Sequence, residues 1–344
     1  MKAVLLYGKE DLRIEEIGLP PIESHGLLLR MKAAGICGSD SRMFFNGPTS
    51  RYLNPVILGH ELCAEVYQVG DAIDDYAPGE LVTIAPVIPC MRCTSCSKGK
   101  DNICERAGVV GCTIHGGMAE YLYMPSQMVQ AGGVVKLLAG LDYHAGALAE
   151  VVGCCLHGLR QTGIQAGDRV LILGSGSIGL TFLQLVKRMG AGWVGITGRR
   201  TKRLDLAREL GANQAIEVPQ IDVVSLFGSS IDLVIVANSS VRALEDGFKV
   251  TRSGGSILLF SGYLPDSTLS VDLNDIHYRE LHIHSSIDCT IMDFQNAVGL
   301  LPLLQMDKLI TCTYLLDEAV EAFLHTRDPD CVKVMLEFQP RSLV

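Results

Sequence analysis

The sequence predicts an α/β protein in which a doubly wound parallel sheet is inserted into a strand-rich domain. Three observations carry that expectation: the length of 344 residues, a change of texture after Gly167, and a closing segment too short to fold alone. A chain of this length exceeds one average domain, so two domains with a cleft between them are the natural arrangement.

Residues 1–152 read as the strand-rich part. Short β-like runs such as LLLRMKAAG, AEVYQVG and LVTIAPV alternate there with Gly, Pro and Asp turns. Residues 153–284 read differently. The apolar runs RVLILG, WVGIT, AIEV, IDLVIVAN and GGSILLFSG are separated by stretches long enough for helices, which is the pattern of a parallel sheet. Residues 285–344 carry the helix-like DEAVEAFLHT and the strand-like VKVMLEF, and are assigned back to the first domain.

Composition narrows the function classes. With 48% hydrophobic and 19% charged residues the chain is a compact globule and not a disordered polypeptide. A net charge of -9 gives no basic face for phosphate neutralisation, so nucleic acid is not an expected partner. No apolar run reaches the roughly 18 residues of a membrane span, and no signal peptide is visible. The expectation is a soluble, cytoplasmic protein that acts on a small molecule.

Directly after RVLIL stands GSGSIG, with Gly174, Gly176, Ser177, Ile178 and Gly179 leading into LTFLQLVKRMG. In this strand, turn and helix context the glycines permit a tight turn and close approach to a pyrophosphate, and the helix N-terminus offers N–H groups to it. GSGSIG thus reads as the Rossmann dinucleotide fingerprint. The next strand, WVGIT, ends in Gly198, Arg199 and Arg200. A carboxylate there would accept from a ribose 2'-hydroxyl; two guanidiniums instead favour NADP(H) over NAD(H).

Of the twelve cysteines, Cys90, Cys93, Cys96 and Cys104 follow C-x2-C-x2-C-x7-C. Four thiolates this close close a tetrahedral shell around one structural zinc. A catalytic zinc needs fewer protein ligands and an open position, and its candidates are Cys37 in GICGSD, His60 and Glu61 in LGHEL, and Glu150 in ALAEVV. The other cysteines read as buried thiols. His277, His282 and His284 alternate along a strand-like segment, with no ligand partners in sight, and His157 reads as packing.

Taken together, CGSD from Cys37, GHE from Gly59, the four-cysteine loop, GGMAEY from Gly116, Glu150 and GSGSIG resemble the zinc-dependent medium-chain dehydrogenases, and among them the polyol group. The resemblance spans essentially the whole chain. It implies a GroES-like catalytic domain, two Zn2+ per chain, and a homodimer or homotetramer. It also implies a catalytic zinc on Cys37 and His60 completed by Glu61 or Glu150, an alcohol that loses its proton through Ser39, and a hydride that passes to the nicotinamide. The sequence departs from the pattern at Arg42, where relatives carry a relay histidine, at Ala64 and Val151, and at Gly198, where they carry an acid. Asp288 in HSSIDCT falls where polyol dehydrogenases place a basic substrate residue. The expected activity is hydride transfer between a secondary alcohol, a polyol, cyclitol or sugar derivative, and NADP(H). Amino-polyol, threonine-type or simple secondary-alcohol oxidation are the alternatives within enzymes, and a non-catalytic protein of the same fold is the alternative outside them.

Overall fold

The computed structural model describes residues 1–339, so residues 340–344 of the expected closing segment lie outside the described residues. The chain forms two compact units, Met1–Gly153 together with the residues from Asp288 onward, and Cys154–Ile287. Among the described residues, no helix is long and apolar enough to cross a membrane.

In the first unit, strand β1 (Leu27–Gly35) is the spine of the main sheet. Leu27, Leu29 and Ala33 are completely buried along it, and each such leucine stabilises by roughly 1.5–3 kcal/mol. Helix α1 (Gly38–Asn46) follows at once. Asp40 Oδ2 accepts the backbone N–H of Cys37 at 3.0 Å and so fixes the start of the helix. Gly47, at φ +91, lets the chain leave it. Strands β2 (Glu61–Val69) and β3 (Leu81–Ile84) extend the sheet antiparallel from β1. Helix α2 (Ala149–Thr162) then runs through the boundary between the units.

The second unit is a six-stranded parallel sheet. Its elements are β4 (Arg169–Leu173), helix α3 (Ser177–Arg188), β5 (Trp193–Gly198), helix α4 (Thr201–Glu209), β6 (Gln214–Glu217), β7 (Ile231–Val236), β8 (Thr251–Leu259) and β9 (His282–Ser285). The spatial order is β6-β5-β4-β7-β8-β9, all neighbours parallel. Leu171, Leu173, Val234, Val236 and Ile257 form one buried core. The central strands carry near-continuous apolar runs, VLIL in β4 and LVIV in β7, as expected of a parallel sheet covered on both faces. Strand order reverses between β4 and β7, which is where this architecture places its ligands.

The return to the first unit comprises helix α5 (Ile291–Leu300), β10 (Ile310–Leu315), helix α6 (Ala319–His325) and β11 (Lys333–Glu337). β11 pairs antiparallel with β1, and β10 pairs parallel with β11. The Phe44 and Phe323 rings meet at 5.3 Å and the Ser41 and Thr326 hydroxyls at 2.8 Å, so α1 is held to the α6 end of the return.

Two local expectations are corrected. His277 lies on a short helix, Leu273–Tyr278, and not on a strand with His282 and His284, because Asp272 accepts the Asn274 N–H and caps a helical turn. Cys312 is half-buried and not buried: it lies on the inward face of β10, opposite the exposed Thr311 and Thr313, but β10 is the edge strand of its sheet and leaves that face partly open. The remaining unassigned cysteines, Cys63, Cys112, Cys154, Cys155, Cys289 and Cys331, are buried.

Candidate active site

The four-cysteine loop gathers its four sulfurs into one cluster. The Sγ atoms of Cys90, Cys93, Cys96 and Cys104 all lie within 4.8 Å of one another. Cys93 Sγ is 3.5 Å from Cys96 Sγ and 3.8 Å from Cys104 Sγ. Zinc–sulfur bonds of about 2.3 Å put tetrahedral corners about 3.8 Å apart, so the spacing fits zinc without rearrangement. Backbone N–H groups of Cys96 and Glu105 bring the Cys93 thiol down to about 6, whereas burial and the adjoining thiols push Cys96 up to about 12. One cation can ionise all four. The loop is moored by Asp101, whose Oδ2 accepts the N–H of Ile291 at 2.7 Å at the start of α5.

In the second unit the GSGSIG turn joins β4 to α3, with Gly176 as the residue before the helix. A Cβ on Gly179 would stand 1.8 Å from the Gly174 carbonyl oxygen, and one on Gly174, itself at φ +124, would stand 2.9 Å from that of Ala237. Ser177 and Ile178 form the first turn of the helix. Gly198 is buried at the end of β5, while Arg199 and Arg200 are exposed and open α4.

The remaining metal-type donors sit around the start of α1. His60 Nδ1 lies 3.6 Å from Asp40 Oδ1, a fully buried atom with no hydrogen-bond partner of its own. Burial pushes the His60 imidazole down, but Asp40 and Cys37 together outweigh it and hold the group well above its usual range. Asp40 faces Nδ1 of the ring, which leaves Nε2 turned to the other side. The two glutamates stand in different surroundings. Both Glu61 oxygens take Lys333 Nζ, at 2.7 and 2.8 Å, and Lys333 also donates to the Ile36 carbonyl at 3.3 Å. Burial lowers the Lys333 ammonium, yet Glu61 and Cys37 prevail and hold it above 10.5. Glu150 is buried in the first turn of α2, close enough to contribute to that pull. Among the described residues, Cys37, His60, Glu61 and Glu150 do not come together as one group with donors inside 4.8 Å. Ser39 is half-buried in the first turn of α1, and Arg42, one turn on, is exposed. Asp288, half-buried at φ +51, acts on the Cys112 thiol together with Arg51, Tyr52 and His60.

Comparisons with known proteins place the chain in a family. The alcohol dehydrogenase GroES-like domain matches residues 23–134, and the zinc-binding dehydrogenase domain matches residues 177–302. An L-threonine 3-dehydrogenase of Bacillus licheniformis is 30% identical over 98% of both chains. The chain belongs to the zinc-dependent medium-chain dehydrogenases. A sorbitol dehydrogenase of Gallus gallus is 29% identical over 98% of this chain and 96% of its own. A protein of Sinorhizobium meliloti 1021, assigned as a zinc-binding dehydrogenase and solved with NADP bound, superposes with a TM-score of 0.91 at 31% identity over 98% of each chain.

As a member of this family the chain is an oxidoreductase acting on alcohols. Sequence reasoning missed two residues of its site. Asp40 was in view inside CGSD, and its signal was a carboxylate one turn beyond Cys37. Lys333 carried a weaker one, a single basic residue directly before the apolar run VML.

Proposed function

We propose that the protein transfers a hydride between a secondary alcohol, a polyol, cyclitol or sugar derivative, and NADP(H), with two zinc ions per chain. The observation that carries the reading is the convergence of Cys37 and the buried Asp40 on His60, in the same unit as the four-cysteine loop. Cys37 Sγ, His60 Nε2 and a glutamate are the ligands. Glu150 takes that place by preference, because Lys333 already engages both oxygens of Glu61. When bound, the zinc supplies Lewis acidity to the alcohol oxygen and the nicotinamide accepts the hydride. Ser39 takes the alcohol proton. With Arg42 exposed on the following turn, that proton leaves to water and not through a histidine relay. Arg199 and Arg200 hold the 2'-phosphate of NADP(H), in line with the NADP found in the Sinorhizobium meliloti protein.

The identity to a threonine dehydrogenase supports a second reading, a substrate with an ammonium group, for which Asp288 offers a carboxylate. A turnover screen of polyols, aminocyclitols, threonine and simple secondary alcohols, with NADP+ and NAD+, separates the two. No turnover in a preparation holding both zincs would favour the non-catalytic alternative. Wild-type turnover in Cys37→Ser or His60→Ala would remove the ligand assignment.

The oligomer proposed is a homodimer or homotetramer. Strand β9 ends the second unit's sheet; Ile283 on it is 46% exposed, and Leu273 and Tyr278 on the helix just before it in the chain are 75% and 79% exposed. An open strand edge with apolar neighbours fits pairing with a second copy about a two-fold axis. Light scattering of the purified protein tests it.

A further inference from the structure

A second cluster of soft donors stands in the first unit, outside the residues used by the proposed chemistry. Cys312 lies on β10, His325 is the last residue of α6, and Cys331 precedes β11 by two residues. Their two Sγ atoms and a ring nitrogen all lie within 4.8 Å of one another. Cys312 Sγ is 3.2 Å from His325 Nε2, near the about 3.5 Å between a thiolate and an imidazole on adjacent corners of a zinc tetrahedron. Asp328 Oδ2 is 3.7 Å from the same nitrogen.

The groups behind these donors are arranged as they are around metal ligands. The Tyr314 hydroxyl lies 2.7 Å from His325 Nδ1; with Nδ1–H donating to it, the Nε2 lone pair faces the sulfurs. The Thr311 hydroxyl lies 3.3 Å from Cys331 Sγ and accepts the Val332 N–H at 3.0 Å, which fixes that sulfur from behind. We propose that Cys312, His325 and Cys331 form a third metal site, taking a thiophilic divalent cation of the zinc type with Asp328 at the fourth corner. Thiolate and imidazole donors select such an ion over magnesium or calcium, which take oxygen. On binding, both thiols release their protons to water, and two thiolates with a neutral imidazole cancel the ion's two positive charges. Asp328 leaves one net negative charge at a site open to solvent on one side.

The three ligands come from a strand, a helix and the turn that leads to β11. A bound ion would tie the two ends of residues 326–332 together. One end is Thr326, whose hydroxyl meets Ser41 of α1, and just beyond the other is Lys333, which holds Glu61. The inference rests on its own donors and not on the assignment of the alcohol-binding zinc.

The test uses full-length protein loaded with zinc and freed of excess metal. Zinc counted by atomic emission should fall by roughly one equivalent per chain in Cys312→Ser/Cys331→Ser and in His325→Ala. A second measurement needs no variant. Brief iodoacetamide treatment of the wild type, read peptide by peptide, should find Cys312 protected, then alkylated about tenfold faster or more after chelation, and protected again by zinc but not magnesium. Equal zinc in wild type and variants overturns the proposal. So does a Cys312 alkylation rate indifferent to chelator, or a Cys312–Cys331 disulfide peptide in the unreduced protein. Loss of zinc in Cys37→Ser or Cys93→Ser bears on the other sites and leaves this result unchanged.

Discussion

Lys333 Nζ reaches both carboxylate oxygens of Glu61 across 272 residues of chain, and the two side chains are only 4% and 1% exposed. Removing one partner of a buried ion pair strands the other charge, at a cost of about 3–5 kcal/mol. Lys333→Met should therefore be strongly destabilised in urea titration. The double variant Lys333→Met/Glu61→Leu should recover most of the loss, because no unpaired charge remains. A double variant as unstable as the single one would show that packing, and not charge, dominates at this position.

A buried carboxylate behind a metal-binding imidazole sets its tautomer and orientation. Losing such a group costs roughly 10- to 100-fold in metal affinity or activity. Asp40→Asn should keep the fold, since the amide still reaches the Cys37 N–H through its oxygen. It should weaken zinc retention at Cys37 and His60 by that factor, without loss from the four-cysteine loop. Competition with a chromophoric chelator reads both sites in one titration, and parallel loss from both would refute a local role for Asp40.

What was legible in the sequence follows from how far apart the cooperating residues lie. GSGSIG and the four cysteines are contiguous strings whose geometry is set by one turn or one loop, so the close approach of their residues could be anticipated from the sequence. The parallel sheet was legible because its central strands carry near-continuous apolar runs, VLIL and LVIV, spaced by helix-length segments. The engagement of Glu61 was not, because it depends on Lys333, which arrives from the far end of the chain. Nor was the grouping of Cys312, His325 and Cys331, which needs β10, α6 and the turn before β11 in place. His277 was misread because three histidines in a short segment imitate alternation, while the Asp272 cap that makes the first of them helical is a local hydrogen bond.

The cysteine loop has little core of its own, and its residues 92–101 are half-buried to exposed apart from their ties to the sulfurs. Structural zinc in such loops contributes folding free energy outright, on the order of 10 kcal/mol for isolated zinc modules. Cys93→Ser should lose one zinc per chain, lower the melting temperature, and open residues 90–104 to limited proteolysis. The Asp101 contact to α5 gives a further readout, since hydrogen exchange at Ile291 should rise with it. Unchanged zinc content and melting would count against a structural role.

Cofactor choice turns on Gly198, Arg199 and Arg200. A 2'-phosphate carries close to two negative charges, and a guanidinium contact to it is worth about 1.5–3 kcal/mol, roughly 10- to 100-fold in affinity. Arg199→Ala/Arg200→Ala should thus weaken NADP(H) strongly and leave NAD(H) nearly unchanged. Installing an acid at position 198 is the stronger test, but the structure shows that it cannot be done alone. A Cβ on Gly198 would stand 2.2 Å from Ser175 Oγ and 3.0 Å from both Ser175 Cβ and Leu204 Cδ2. The serine hydroxyl can rotate away; its Cβ cannot. Gly198→Asp should therefore be combined with Ser175→Gly, which clears both atoms while keeping the glycine-rich turn. That double variant places an acceptor beside a free ribose hydroxyl and repulsion beside a phosphate, and should invert the preference toward NAD(H). The measurement is kcat/KM for both cofactors in wild type, the arginine variant and the acid variant. A wild-type enzyme that prefers NAD(H), or an arginine variant that still prefers NADP(H), would show that these guanidiniums do not read the phosphate.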